Sequence, residues 1–198
     1  MCIKHRHRSG VIRWGHDGPA PAARLRSALI DPSLAVPDMM RRMTERFEVQ
    51  RTIPAEPAAI FNVVSSPAGH VAIDASGMLQ SSTGESAKAV GDTFIIHMDR
   101  ESLGDIPMGK YDVTVTITGY EQDAFITWEV SGSGFPSIGH YYGYRLEPAA
   151  DGGTVVTSIY DWANIGENWK ASGAWPIIPE SALKATLGIL ERTVRAAA

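Results

Sequence analysis

The chain has 198 residues, 44% hydrophobic and 20% charged, with a net charge of −4 and one cysteine. That length fits one domain with an appendage or two very small domains, and the lone Cys2 excludes an intrachain disulfide framework and fits a reducing compartment, hence a cytoplasmic location. No apolar run approaches the roughly 18 residues that cross a bilayer, so membrane insertion is not expected, and Pro19, Pro21, Asp31, Pro32 and Pro37 interrupt what would be the h-region of a signal peptide.

Residues 1–43 carry a net charge of +5 and the remainder −9. The acidic body repels nucleic acid and anionic membrane, so neither is an expected partner. Residues 1–42 show no sustained helical or strand periodicity and are rich in Arg, Ala and Pro. That predicts a basic, unstructured extension over 1–43 that the domain at 44–198 does not need for folding. A basic arm that grips something acidic is the functional alternative, and a true start at Met43 is another. Cys2, His5 and His7 lie in this extension without a partner cluster, so they do not make a metal site, and no metal or cofactor is expected.

From Thr44 the pattern changes. ERFEVQRTI (45–53) alternates as a strand. PAAIFNVVSSP (57–67) reads as a short helix, opened by Pro57, striped by Ile60, Phe61 and Val64, and stopped by Pro67. HVAIDASG (70–77) and a Ser/Gly-rich region to residue 91 read as loop. Strands follow at 92–99, with Phe94, Ile96 and Met98 on one face and Ile95 and His97 on the other, and at 110–120, which alternates Val113, Val115, Ile117 with threonines. In 123–130, Ile126, Trp128 and Val130 face inward and Thr127 and Glu129 outward. In 137–147, Ile138, His140, Tyr142, Tyr144 and Leu146 share a face. The turn signal DGG (151–153) precedes a strand over 153–162. Leu183, Leu187, Leu190 and Val194 recur at four, three and four, which predicts a helix over roughly 180–196, about 25 Å long.

A run of about six to seven antiparallel strands, with helices at its ends, means α+β. Together the segments IPAEPAAIFNVVSSPAGH, AIDASG, VGDTFIIHM, ITWEV, YRLEPAADGGTVVT, YDW and WP before a terminal helix resemble the START/Bet v 1-like helix-grip superfamily, the SRPBCC or polyketide cyclase/dehydrase group, in its small actinobacterial-type members. The resemblance covers residues 44–198. It implies a curved antiparallel sheet gripping a long C-terminal helix, with an apolar cavity between them. It does not imply one function, because lipid carriers, hormone binders, cyclases and dehydratases share that fold.

The inward faces carry the candidate ligand-binding residues Phe94, Met98, Trp128, His140, Tyr142, Tyr144, Tyr160, Trp162 and Trp175. Their aromatic bodies and polar tips suit a small-molecule pocket, and a filled core is the plain alternative. His140 is the candidate acid/base group, since imidazole exchanges protons near neutral pH. His70, Asp74 and Ser76 have the residue types of a triad, but Ser76 lacks the strained elbow a nucleophile needs. His70 and Asp74 therefore stand as rim residues at the cavity mouth, with ordinary loop chemistry as the alternative. SGSGFPSIG (131–139) lacks dinucleotide-binding spacing and reads as a loop or gate. WKASGAWPIIP (169–179) reads as a lid or a linker. The expected partner is an apolar or aromatic small molecule, lipid or polyketide-like. A cyclase/dehydratase-type enzyme using His140 and the tyrosines is the alternative, as is a domain acting through a protein partner. The oligomeric state is open between monomer and homodimer.

Overall fold

The computed structural model describes residues 45–101, 104, 108–132, 136–150 and 152–197; the extension over 1–43 and the gate centred on 133–135 lie outside the described residues. In chain order the elements are β1 (Arg46–Ile53), α1 (Pro57–Val64), α2 (Pro67–Ala72), β2 (Leu79–Thr83), β3 (Thr93–Asp99), β4 (Lys110–Glu121), β5 (Phe125–Gly132), β6 (Tyr141–Pro148), β7 (Thr154–Asp161), α3 (Glu167–Lys170) and α4 (Glu180–Ala197). The strands form one antiparallel sheet in the order β1-β7-β6-β5-β4-β3-β2. The α+β expectation holds: strands are segregated from helices, and α4 packs across β1 and β7 and against α1.

Pro67 does not simply end a helix. It occupies the first turn of a second one, α2, whose N-cap Ser66 accepts from Gly69 N at 3.4 Å. Proline ends α1 and starts α2 for the same reason, its missing N–H and fixed φ. Gly69 lets the two helices meet, because a Cβ there would lie 1.9 Å from the Val63 carbonyl oxygen. The Ser/Gly-rich region also holds a strand, β2, an edge strand paired with β3 through Leu79↔Met98 and Ser82↔Ile96. LQSST is too polar for its alternation to be read.

Leu183, Leu187, Leu190 and Val194 of α4 are all buried, joined by Glu191. A carboxylate there needs partners. Arg51 Nε donates to Glu191 Oε2 at 2.5 Å, and Arg195 pairs with Oε1. The Arg51 bond fastens the C-terminal half of the helix to β1, while the Arg195 pair lies within the helix. Glu191→Ala is expected to cost about 1.5–3 kcal/mol, the value of hydrogen bonds to charged groups. Glu191→Gln, which keeps an acceptor, should cost less; equal urea midpoints for wild type and Glu191→Ala would refute this.

The outward face is not uniformly wet. Thr127 is buried, because it lies between two glycines: Cβ atoms built at Gly119 and Gly143 would meet its Oγ1 and Cγ2, each at 2.6 Å. Thr157 of β7 is buried as well, with Gln50 Nε2 donating to its Oγ1 at 3.1 Å. His97 does lie on the outer face, between Asp112 Oδ1 at 2.7 Å and Thr83 Oγ1 at 2.9 Å.

Candidate functional site

Strand register builds the aromatic row. Ile117 pairs with Trp128, Trp128 with Tyr142, Tyr142 with Tyr160, and Tyr160 with Phe47. Directly paired residues share a face, so the rings line up across four strands, with Ile117 of β4 at one end. Tyr142 and Tyr160 stack at 4.7 Å and 6°, and Trp128 and Tyr142 at 6.1 Å and 24°. Trp162 closes the far end against Phe47 at 4.8 Å. The next row sets Ile126 beside Tyr144, and Tyr144 beside Ser158.

Above these rows lies a partly open cavity of about 90 Å³. Trp128, Tyr142, Gly143, Tyr144, Ser158 and Ile159 contribute from the sheet. Asp74, Ala75 and Ser76 contribute from the loop after α2, and Ile178, Ala182, Leu183 and Thr186 from the approach to α4 and its first turns. Small-molecule sites usually span about 300–1,000 Å³, so this cavity is small for one. The aromatic side chains stack on one another and take up the space.

Of the sequence candidates, Asp74, Trp128, Tyr142 and Tyr144 line this cavity. Tyr160 and Trp162 lie behind Tyr142, fully or nearly fully buried. Phe94 is buried and Met98 packs at the core's edge. Leu183 is visible in the sequence as a helix-stripe residue. Ser158 and Thr186 gave no signal, being ordinary polar positions in their elements.

His70 is not at the rim. It belongs to α2, is 7% exposed, and packs between Trp128 at 4.6 Å and Phe94 at 5.1 Å. Its Nε2 lies 2.8 Å from the Val64 carbonyl oxygen, which can only accept, so Nε2 carries the proton. Burial pushes its pKa down to about 4. Asp74 and Ser76 do meet, but as a turn. Asp74 Oδ1 accepts from Ser76 N at 2.9 Å and Ser76 Oγ at 2.7 Å, and Oδ2 accepts from Leu79 N at 3.0 Å. Ser76 Oγ in turn accepts from Met78 N at 3.1 Å. With His70 committed to Val64 and Ser76 donating to a carboxylate, no nucleophile is activated. Ser76→Ala should cost about 1 kcal/mol of stability, and a serine-directed phosphonate should leave Ser76 unlabelled. Labelling there would restore the triad.

His140 precedes β6 rather than lying within it, because Gly139 turns the chain at φ 93°. A Cβ at Gly139 would meet the Asn164 carbonyl oxygen at 2.7 Å, so glycine lets the segment after β7 approach. His140 is thereby enclosed by Trp175 at 5.0 Å, Tyr142 at 5.5 Å and Tyr160 at 6.3 Å. Among the described residues its Nδ1 has no hydrogen-bond partner, and neither has Tyr160 Oη, whose neighbours are Tyr142 and the Ile177 backbone. Burial lowers the His140 pKa to about 4, against the opposing pull of Glu129. Burial likewise raises the Tyr142, Tyr144 and Tyr160 phenols above the ordinary tyrosine range, so all three stay protonated donors at neutral pH.

A seven-stranded antiparallel sheet closed by a terminal helix, with paired short helices after the first strand, is also what the solved structures share. A protein from Mycobacterium smegmatis aligns with a TM-score of 0.57 and 14% identity, over 79% of this chain and 95% of its own. The chain has the helix-grip fold. The AHSA1-like protein from Aeromonas hydrophila aligns with a TM-score of 0.51 and 18% identity, over 77% and 93%. DynU16, from the dynemicin biosynthetic locus, aligns with a TM-score of 0.50 and 14% identity, over 77% of this chain and 48% of its own. No protein-family model and no curated protein matches the chain. At these identities the helix-grip likeness speaks for the fold alone. Among the described residues no cluster of His, Cys, Asp or Glu suits a metal ion, and no helix is long and apolar enough to cross a membrane.

Proposed function

We propose that this protein binds an apolar or aromatic small molecule between the sheet and α4. The observation that carries the reading is the cavity itself: an aromatic floor of Trp128, Tyr142 and Tyr144 under an aliphatic roof of Ile178 and Leu183, with a few polar groups at its edge. That composition, mostly apolar with a few placed polar groups, is what small-molecule sites have. At about 90 Å³ it is smaller than the roughly 150 Å³ apolar cavity that accepts benzene. A ligand larger than one ring therefore protrudes through the open side or displaces the roof. The test is a thermal-shift panel of neutral aromatics and lipids, with mass spectrometry of small molecules released from the denatured protein. A ligand at a hundredfold excess over its Kd adds about 2.7 kcal/mol, a rise of roughly 5–11 °C for a domain of this size. No shift across the panel and no released molecule would reject the reading.

A second reading, cyclase/dehydratase-type catalysis, draws on the unpartnered His140 Nδ1 and Tyr160 Oη. Buried polar atoms are normally satisfied, and exceptions concentrate where a ligand or water belongs. A pKa of about 4 makes His140 a weak base at neutral pH, so its contribution would be hydrogen bonding to a substrate rather than proton abstraction. Turnover abolished by Tyr160→Phe with retained binding would favour this reading over simple carriage.

A further inference from the structure

We propose that the cavity selects neutral, hydroxyl-bearing aromatic ligands and rejects carboxylates; this rests on the cavity's binding small molecules at all. Among the described residues Asp74 is the one charged residue that lines it, and no Lys, Arg or His shares the walls. Its carboxylate is held in place by Ser76 N, Ser76 Oγ and Leu79 N. Those three donors leave about one of its four lone-pair sites for a ligand donor. A phenol or alcohol O–H can fill that site. A ligand carboxylate brings a second negative charge beside it, and in a partly desolvated cleft like charges repel far more strongly than in water.

Arg100, whose charge reaches the Tyr142 phenol, is buried with Nη1 against Met78 Sδ at 3.3 Å and is not among the wall residues. His70 and His140 are packed into the aromatic cluster beyond the walls. The remaining polar wall groups are neutral hydroxyls, on Tyr142, Tyr144, Ser158, Ser76 and Thr186. They can donate to or accept from a hydroxyl or carbonyl, but supply no counter-charge. Trp128 and Tyr142, inclined by 24°, offer a face on which a ring can lie.

The experiment uses the full chain at pH 7 and three ligands of matched shape: 2-naphthol, 2-naphthamide and 2-naphthoate, titrated by calorimetry. The amide controls for the size of the carboxylate. The naphthol and the amide should bind, and naphthoate should bind about tenfold or more weakly than the amide. That gap should narrow in Asp74→Asn, which keeps an acceptor for the loop, and narrow in the wild type as salt is raised. Naphthoate binding as tightly as the amide overturns the inference. A gap that persists undiminished in a folded Asp74→Asn overturns Asp74 as its source. Failure of all three ligands to bind rejects instead the small-molecule reading on which the inference stands.

Discussion

Acidification from pH 6.5 to 4 is expected to destabilise the protein by roughly 3 kcal/mol through each of His70 and His140. Both have pKa values lowered to about 4 by burial. In the unfolded chain a histidine titrates near 6.5. Between those two values the unfolded state binds a proton that the folded state refuses. Stability is therefore whole above pH 6.5 and falls as pH drops toward 4. Each histidine adds a slope of about 1.4 kcal/mol per pH unit, and the loss levels off below the folded pKa. The measurement is the urea midpoint against pH for wild type, His70→Gln and His140→Gln. Each variant should be less stable at pH 7.5 yet flatter between pH 6.5 and 4. A variant whose curve runs parallel to wild type over that window would show that its histidine is not buried neutral.

Trp128→Ala should lower stability by about 3–5 kcal/mol, the range for deleting a large aromatic from a core. For a domain of this size that is a fall in Tm of roughly 10 °C. Trp128 is the ring that joins two clusters. It packs on His70 at 4.6 Å on one side, and on Tyr142 at 6.1 Å and Tyr144 at 5.8 Å on the other. Its removal joins new space to the existing cavity, so an added naphthalene-sized probe should recover part of the lost Tm by mass action. Trp128→Phe, which keeps a ring, should lose less than half as much. A Trp128→Ala protein that melts within 2 °C of wild type, with or without probe, would show that the two clusters are held independently.

Much of the fold was legible in the sequence because its signals are periodic. The alternation of Val113, Val115 and Ile117 and the four-three-four spacing of Leu183, Leu187, Leu190 and Val194 fix β4 and α4 without tertiary information. What was hidden depends on partners distant in sequence. β2 is a strand because β3 lies beside it, and LQSST says little by itself. Thr127 is buried because two glycines from neighbouring strands leave room around it. His140 shares a face with Tyr142 in the sequence pattern, yet Gly139 detaches it from the strand. Of the candidate site, the sequence carried the aromatic residue types but not how they pack. Alternation identifies which aromatics point inward; it does not reveal that Tyr142 and Tyr160 stack on each other instead of on a guest. His70 shows the same limit: a histidine beside Asp74 and Ser76 in sequence faces a different layer once Ser66 and Pro67 start a new helix.

The Glu191 anchor makes α4 a lever pinned near one end. Arg51 fastens Glu191 to β1, whereas the cavity lies under Ala182, Leu183 and Thr186 in the opposite half. Leu183 is about 12 Å along the axis from that pin, so a tilt of about 5° moves it by about 1 Å. The sheet floor, tied strand to strand by its backbone ladder, has no comparable freedom. Guests of graded size are thus expected to be accommodated by the angle of one helix while the aromatic floor keeps its shape. Changes near Ala182 and Thr186 would then retune which molecules fit, and changes near Glu191 would retune how readily any of them do.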